Sequence, residues 1–372
     1  MKNQCICTNV CAILKPEYYS QMDKIMEVMS MINKRCAALV MAAIMAASSA
    51  MPAMAEVWVD GNEVASGSTV GTVTTENEDS YAGVEVDDGS SVTVNGDVDA
   101  KEYAGDGVSA SGEGSSASVS GNVSSVEGSG VYAEGGSSVT VGGNVSSAEN
   151  NGITVSDGGL VSVGGNVSAN SNVSTGIDAE DSTVTVKGDV ISKGDGIYAG
   201  AGTYDEDYKT TVDVKGNVTA EGNGIMASGN TTVTVGGDVT SKDGEYGIEG
   251  DNGADIVVSG NITASGDDST GIELDSGSSA TVAGNVKGDN GAFVIGSKLH
   301  VKGDVISKSG VTVGVYGTDK TTCIIEGDVN SDDNIIFDVS LGNGDGENNK
   351  DNELAIAGTV KMEKRQRLFT LM

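Results

Sequence analysis

Tyr132, Asp178, Tyr198, Glu249 and Glu273 recur at steps of roughly 23 residues or multiples of it, each inside a short run of alternating aliphatic and polar residues. A tyrosine ring stacks on the apolar face of a sugar, and a carboxylate accepts protons from sugar hydroxyls. Gathered on one flat face, these five side chains would make a strip for a glycan or a partner protein. Hydrolysis of a glycan asks for more, namely two carboxyls at a set separation with one of them protonated. Asp87-Asp88, Asp267-Asp268 and Asp332-Asp333 supply paired carboxylates, but each pair sits in a turn, where Asp is favoured for conformational reasons. From Glu56 to Val360 the chain has no Arg and one histidine, His300, with no second His or Cys beside it. Cys5, Cys7 and Cys11 lack a fourth metal ligand in range. No catalytic centre, no metal site and no cofactor are therefore expected.

The elements that would position these residues follow from a repeat. Gly followed by Asp or Asn and then Val or Ile occurs at Gly96, Gly121, Gly143, Gly165, Gly188, Gly216, Gly237, Gly260, Gly284, Gly303 and Gly327, with a weaker copy at Gly358. Between these marks lies a second, Gly followed by Ile or Val, at Gly107, Gly130, Gly152, Gly176, Gly196, Gly224, Gly247 and Gly271. Eleven copies at one mean spacing define a repeat architecture. Within a copy the hydrophobic period is two. Val139, Val141, Val145, Ile153 and Val155 share one side, with Ser, Thr and Asp on the other, and Gly-Gly-Asn and Asp-Gly-Gly turns separate the runs. Three short strands and three turns in about 23 residues make one coil of a solenoid.

This predicts an all-β fold, a parallel β-helix (β-solenoid) of about twelve coils over residues 56–360, on the order of 55 to 60 Å long at the spacing of paired strands. Gly at the corner is expected to allow a positive φ, and the Asp or Asn after it to bond backbone N–H groups as a polar ladder. Outward positions stack into columns. The first strand presents Thr93, Thr140, Thr185 and Thr234, interrupted by Ser162 and Asp213, as expected of any solvated strand. The third presents Tyr132, Thr154, Asp178, Tyr198, Met226, Glu249 and Glu273. His300 alternates outward on a first strand. Insertions at AGTYDEDYKTT (201–211) and LGNGDGENNKDNE (341–353) mark loops leaving the stack, and the basic stretch 361–372 departs from the repeat.

Composition bounds the function. The chain has 372 residues with 55 Gly, two Pro and a net charge of −33, and from Glu56 to Val360 there are 12 Lys against 50 acidic residues. Such a surface repels phosphates, so nucleic acid is not an expected partner; solubility accounts for the acidity more simply than calcium uptake does. Lys34-Arg35, the apolar run Cys36–Ala50 and Ala53-Met54-Ala55 read as a signal peptide over 31–55, cleaved between Ala55 and Glu56. The apolar run is short and Ala-rich, so no stable membrane span is expected in the mature chain. Residues 1–30 read as a doubtful extension ahead of a natural start at Met31. After cleavage only Cys323 remains, which excludes an internal disulfide.

The segments SVTVGGNVSS and TVTVKGDVISKGDGIYA resemble the right-handed parallel β-helix superfamily, and more closely the secreted β-solenoid surface and adhesin-like repeat proteins of bacteria. That resemblance covers residues 56–360 and implies a right-handed coil. It also implies a secreted or cell-surface location and a structural or adhesive role, with surface glycans or proteins as partners. The superfamily also holds polysaccharide lyases and hydrolases, so the alternative it implies is a polysaccharide-binding or polysaccharide-cleaving protein with its site near the 201–210 insertion.

Overall fold

The computed structural model describes residues 57–75, 81–101, 105–201, 209–316, 320–332, 337–339, 352–362 and 370–371. The expected extension 1–30, the signal peptide 31–55 with its Ala55/Glu56 junction, and the inserted residues 202–208 and 340–351 lie outside the described residues.

Every described element is a β-strand. Each coil gives one strand to each of three sheets. In one coil these are Ser138–Val141 in the first sheet, Val145–Ser147 in the second and Ile153–Val155 in the third. The first and second sheets have 13 strands each and the third has 15. The stack amounts to about 11 turns, close to the twelve expected. Pairing between coils is parallel and in register, so that Val139 faces Val161, Val145 faces Val167 and Ile153 faces Ile177. Like residues therefore stack on like, and the inward Val and Ile of all three sheets form one continuous core. A single coil buries almost nothing; neighbouring coils close the core above and below it.

The period-two reading holds for Val139, Val141, Val145, Ile153 and Val155, all of which are buried. It misplaces the serine that ends the second-sheet strand. Ser125, Ser147, Ser241 and Ser307 point inward and are buried. Ser147 Oγ donates to the Gly128 carbonyl at 2.7 Å, and Ser241 Oγ to the Gly222 carbonyl at 2.8 Å. A hydroxyl can occupy the core edge here because it finds a partner: a corner carbonyl of the preceding coil for Ser125, Ser147 and Ser241, and the Thr312 hydroxyl, 2.8 Å away, for Ser307.

At the first corner, between the first and second sheets, the expected ladder is present and unbroken. Each Asp or Asn accepts, through Oδ1, the backbone N–H of its equivalent one coil on. The rungs run from Asp97 to Asn122 at 2.6 Å, on to Asn144 at 2.9 Å and Asn166 at 2.8 Å, and end with Asp328 accepting Thr359 N–H at 2.7 Å. The reason expected for the glycine beside it is corrected. Of these corner glycines only Gly96 has a positive φ. What Gly supplies is room: a Cβ on Gly143 would lie 2.6 Å from Asn122 Oδ1 and 2.7 Å from the Gly121 carbonyl oxygen.

Apart from Asp268 at the second corner, non-glycine positive φ in the stacked coils falls instead at the third corner, where the third sheet leads back to the first. Asp88, Asp157, Asp181, Asn252 and Ser276 adopt it there, several followed by a Gly in the same region. Asp and Asn tolerate this region because their short side chains bond locally.

Two features close the N-terminal end of the third sheet. Strand β1 (Val57–Val59) and strand β2 (Asn62–Val64) form an antiparallel hairpin, and β1 pairs antiparallel with Ala82–Val86. The two-residue loop Asp60-Gly61, with φ of 47° and 68°, is the Asp-Gly turn whose twist suits a hairpin. The hairpin occupies the edge that a further coil would otherwise use. At the other end pairing runs past residue 360: Val360–Met362 pairs with Val329–Ser331, and Thr370–Leu371 with the strand Phe337–Val339.

Candidate binding face

The third sheet brings all five predicted residues into one outward column. Register pairs Tyr132 with Thr154, Thr154 with Asp178, Asp178 with Tyr198, Tyr198 with Met226, Met226 with Glu249, and Glu249 with Glu273. Alternation puts each between two inward residues. Tyr198, for example, stands between buried Ile197 and Ala199 and is 46% exposed. The column is longer than expected. Trp58, Glu85 and Ser109 precede Tyr132, and Phe293, Gly314 and Asp338 follow Glu273. Trp58 escaped the sequence reading because it lies on the antiparallel hairpin outside the repeat. Phe293 escaped because its coil carries Ala292 where the second mark calls for Ile or Val.

Three local arrangements divide the column. Near its start, Tyr132 donates its hydroxyl proton to Glu134 Oε2 at 2.6 Å, and this bond, reinforced by burial and nearby carboxylates, pushes the Tyr132 hydroxyl up to about 12. Below it runs a polar chain: Ser129 Oγ lies 2.9 Å from Thr154 Oγ1, and Asn151 Nδ2 donates to Thr154 Oγ1 and to Asp178 Oδ2, each at 3.2 Å. Burial raises Asp178 above the usual carboxylate range, and the Asn151 bond opposes it. At the adjoining corner burial pushes Asp106 up to about 6, against the Ser129 N–H that its Oδ1 accepts at 2.7 Å.

In the middle lies an acidic stretch. Burial, then the charges of Asp251 and Glu245, raises Glu249; burial, then Glu249, Asp275 and Glu245, raises Glu273. Tyr246 donates to Glu245 Oε1 at 3.1 Å and is itself held well above the ordinary tyrosine range, by burial first and by Glu273 second. Among the described residues no group of three or more His, Cys, Asp or Glu is arranged to hold a metal ion.

Near its far end Phe293 of the column meets Tyr316, two residues beyond Gly314 on the next strand. The rings of Phe293 and Tyr316 stack with centroids 6.2 Å apart at 22°. Gly314 leaves them the space, since a Cβ there would lie 2.5 Å from Phe293 Cδ1 and 2.6 Å from Tyr316 Cε2.

The remaining candidates fall elsewhere. Thr93, Ser118, Thr140, Ser162, Thr185, Asp213 and Thr234 stack on the first sheet, where Asp213 pairs with Lys215 at 2.6 Å. His300 faces outward from that sheet with Nε2 2.7 Å from Glu326 Oε1. Asp87 accepts Ser111 Oγ–H at 2.6 Å. Asp88 and Asp268 hold positive φ in turns, and Asp268 N–H donates to Asp289 Oδ2 at 3.1 Å. These carboxylates shape corners. Asp333 and the core of the 201–210 insertion lie outside the described residues.

Fold and face together define a parallel β-solenoid whose third-sheet outward column carries aromatic and acidic side chains. Comparison of the chain with protein-family models, with curated proteins and with solved structures finds no match.

Proposed function

We propose that the protein is a secreted or cell-surface β-solenoid with a structural and adhesive role, which presents its third sheet to surface glycans or proteins and catalyses no reaction. The observation that carries this reading is the contrast between columns. Inward columns repeat Val and Ile with smaller Ala and Ser, and among the described residues the outward columns of the first and second sheets carry no Phe, Tyr or Trp, whereas the third-sheet column sets Trp58, Tyr132, Tyr198 and Phe293 among Glu85, Ser109, Thr154, Asp178, Met226, Glu249 and Glu273. Packing demands none of these outward identities, and aromatic rings beside carboxylates suit a sugar or a protein surface. The basic, apolar and Ala-x-Ala sequence of 34–55 supports export.

The test is to expose the full chain to arrays of glycans and matrix proteins, with calcium and with chelator, and to look for shortened sugars in the supernatant. Selective retention without products supports the reading. Release of products would establish the polysaccharide-cleaving alternative instead.

A further inference from the structure

The second corner, between the second and third sheets, changes length along the stack. Counted between paired positions, it takes seven residues at 170–176, four at 193–196 and 221–224, and six at 242–247. Beside the long loop lies an open cleft of about 470 Å³, lined by Asn172, Lys193, Glu221, Gly222 and Asp243. That volume suits one small ligand.

The lining is polar and mixed in charge. Lys242 Nζ donates to Glu221 Oε1 at 2.6 Å, which leaves Lys193 as the lining cation without an ion pair among the described residues. Asn172 offers an amide, Asp243 a carboxylate, and the neighbouring Val173 stands 92% exposed. The loops that form the cleft lead directly into the strands bearing Asp178, Tyr198, Met226 and Glu249, so cleft and outward column share the same four coils.

From this lining we infer that the cleft binds the terminal residue of a glycan carrying one carboxylate and an N-acyl group. Lys193 pairs with the carboxylate, Glu221 and Asp243 accept hydroxyl protons, Asn172 bonds the acyl amide, and Val173 meets its methyl group. A neutral sugar would leave the lysine charge unused. A polyanion would be repelled by a chain of net charge −33, whereas one carboxylate placed on a lysine is tolerated. The next sugar of the chain would reach the Tyr198 side of the column. The inference rests on the adhesive reading and supplies its ligand class.

The experiment titrates the full chain with 3′-sialyllactose and with lactose, by calorimetry and ligand-observed NMR. The expected result is binding of sialyllactose but not of lactose, weakened roughly tenfold or more by Lys193→Ala at unchanged circular dichroism. Absence of sialyllactose binding, equal binding of lactose, or an unchanged affinity in Lys193→Ala overturns the cleft. If sialyllactose binding then falls only in Tyr198→Ala, the outward face survives without the cleft. If the arrays of glycans and matrix proteins stay silent while sialyllactose still binds through Lys193, the cleft survives and the broader adhesive face does not.

Discussion

At the first corner each coil from Gly96 to Gly327 turns with Gly and then Asp or Asn, whereas at the second corner neighbouring coils turn with NSNVSTG, KGDG, EGNG, KDGE and SGDDS. The first corner has a rung in every coil from Asp97 to Thr359. Rungs at the second are intermittent, such as Asn151 Oδ1 accepting Thr175 N–H at 2.8 Å and Asp195 Oδ1 accepting Asn223 N–H at 2.7 Å. Where the side chain of each coil accepts the N–H of the next without a break, a single pair of residue types recurs. Where a loop is free to swell, residue type and length vary, and there the cleft lies.

The sharpest way to break this comparison is to fill the space at the first corner. Gly143→Val should cost about 3 kcal/mol, because its new side chain meets Asn122 and the Gly121 carbonyl with no room to relax. At the third corner Gly277, with φ of +84° and open space around it, should lose only about 1 kcal/mol as Gly277→Ala. Equal losses in urea unfolding would remove the distinction between room and rotation.

A second comparison uses pH. Asp106 holds a proton up to about 6 in the folded chain, above its ordinary value of 3.8. Its contribution to stability is complete below about 3.8 and is lost as pH rises through about 6. By linkage the full loss is about 3 kcal/mol, an order-of-magnitude figure. Asp106→Asn keeps an oxygen to accept Ser129 N–H and removes the charge. It should stabilise the chain at pH 8 and flatten that part of the pH profile; a variant no more stable than the parent at pH 8 would show that Asp106 is not desolvated.

Smaller effects follow at single rungs and in the cleft. Asn144→Ala leaves the Asn166 N–H, bonded at 2.8 Å, without its acceptor and should cost about 1 kcal/mol. Lys193→Ala should change stability by less than about 0.5 kcal/mol, since the side chain takes no part in an ion pair among the described residues. A larger loss would give Lys193 a structural task in place of a binding one.

The coil, its three strands and the outward column from Tyr132 to Glu273 were legible in the sequence because period-two alternation and a repeated Gly-Asx corner leave one arrangement. Other features were not, for physical reasons. The buried Ser147 reads as polar until the Gly128 carbonyl that accepts its proton is in place. The purpose of Gly143 depends on the distance to another coil, which spacing along the chain does not contain. The cleft arises from a difference in length between loops 170–176 and 193–196, visible only once the coils are stacked in register.

The central claim is that the third sheet is the binding face. Its most direct test is to compare the wild-type chain, a Tyr132→Ala/Tyr198→Ala variant and a Thr140→Ala/Thr185→Ala variant of the first sheet on one array of glycans and matrix proteins. The account predicts selective binding that the tyrosine changes abolish and the threonine changes leave intact. Binding that survives loss of both tyrosines, or is lost only with the threonines, would contradict it.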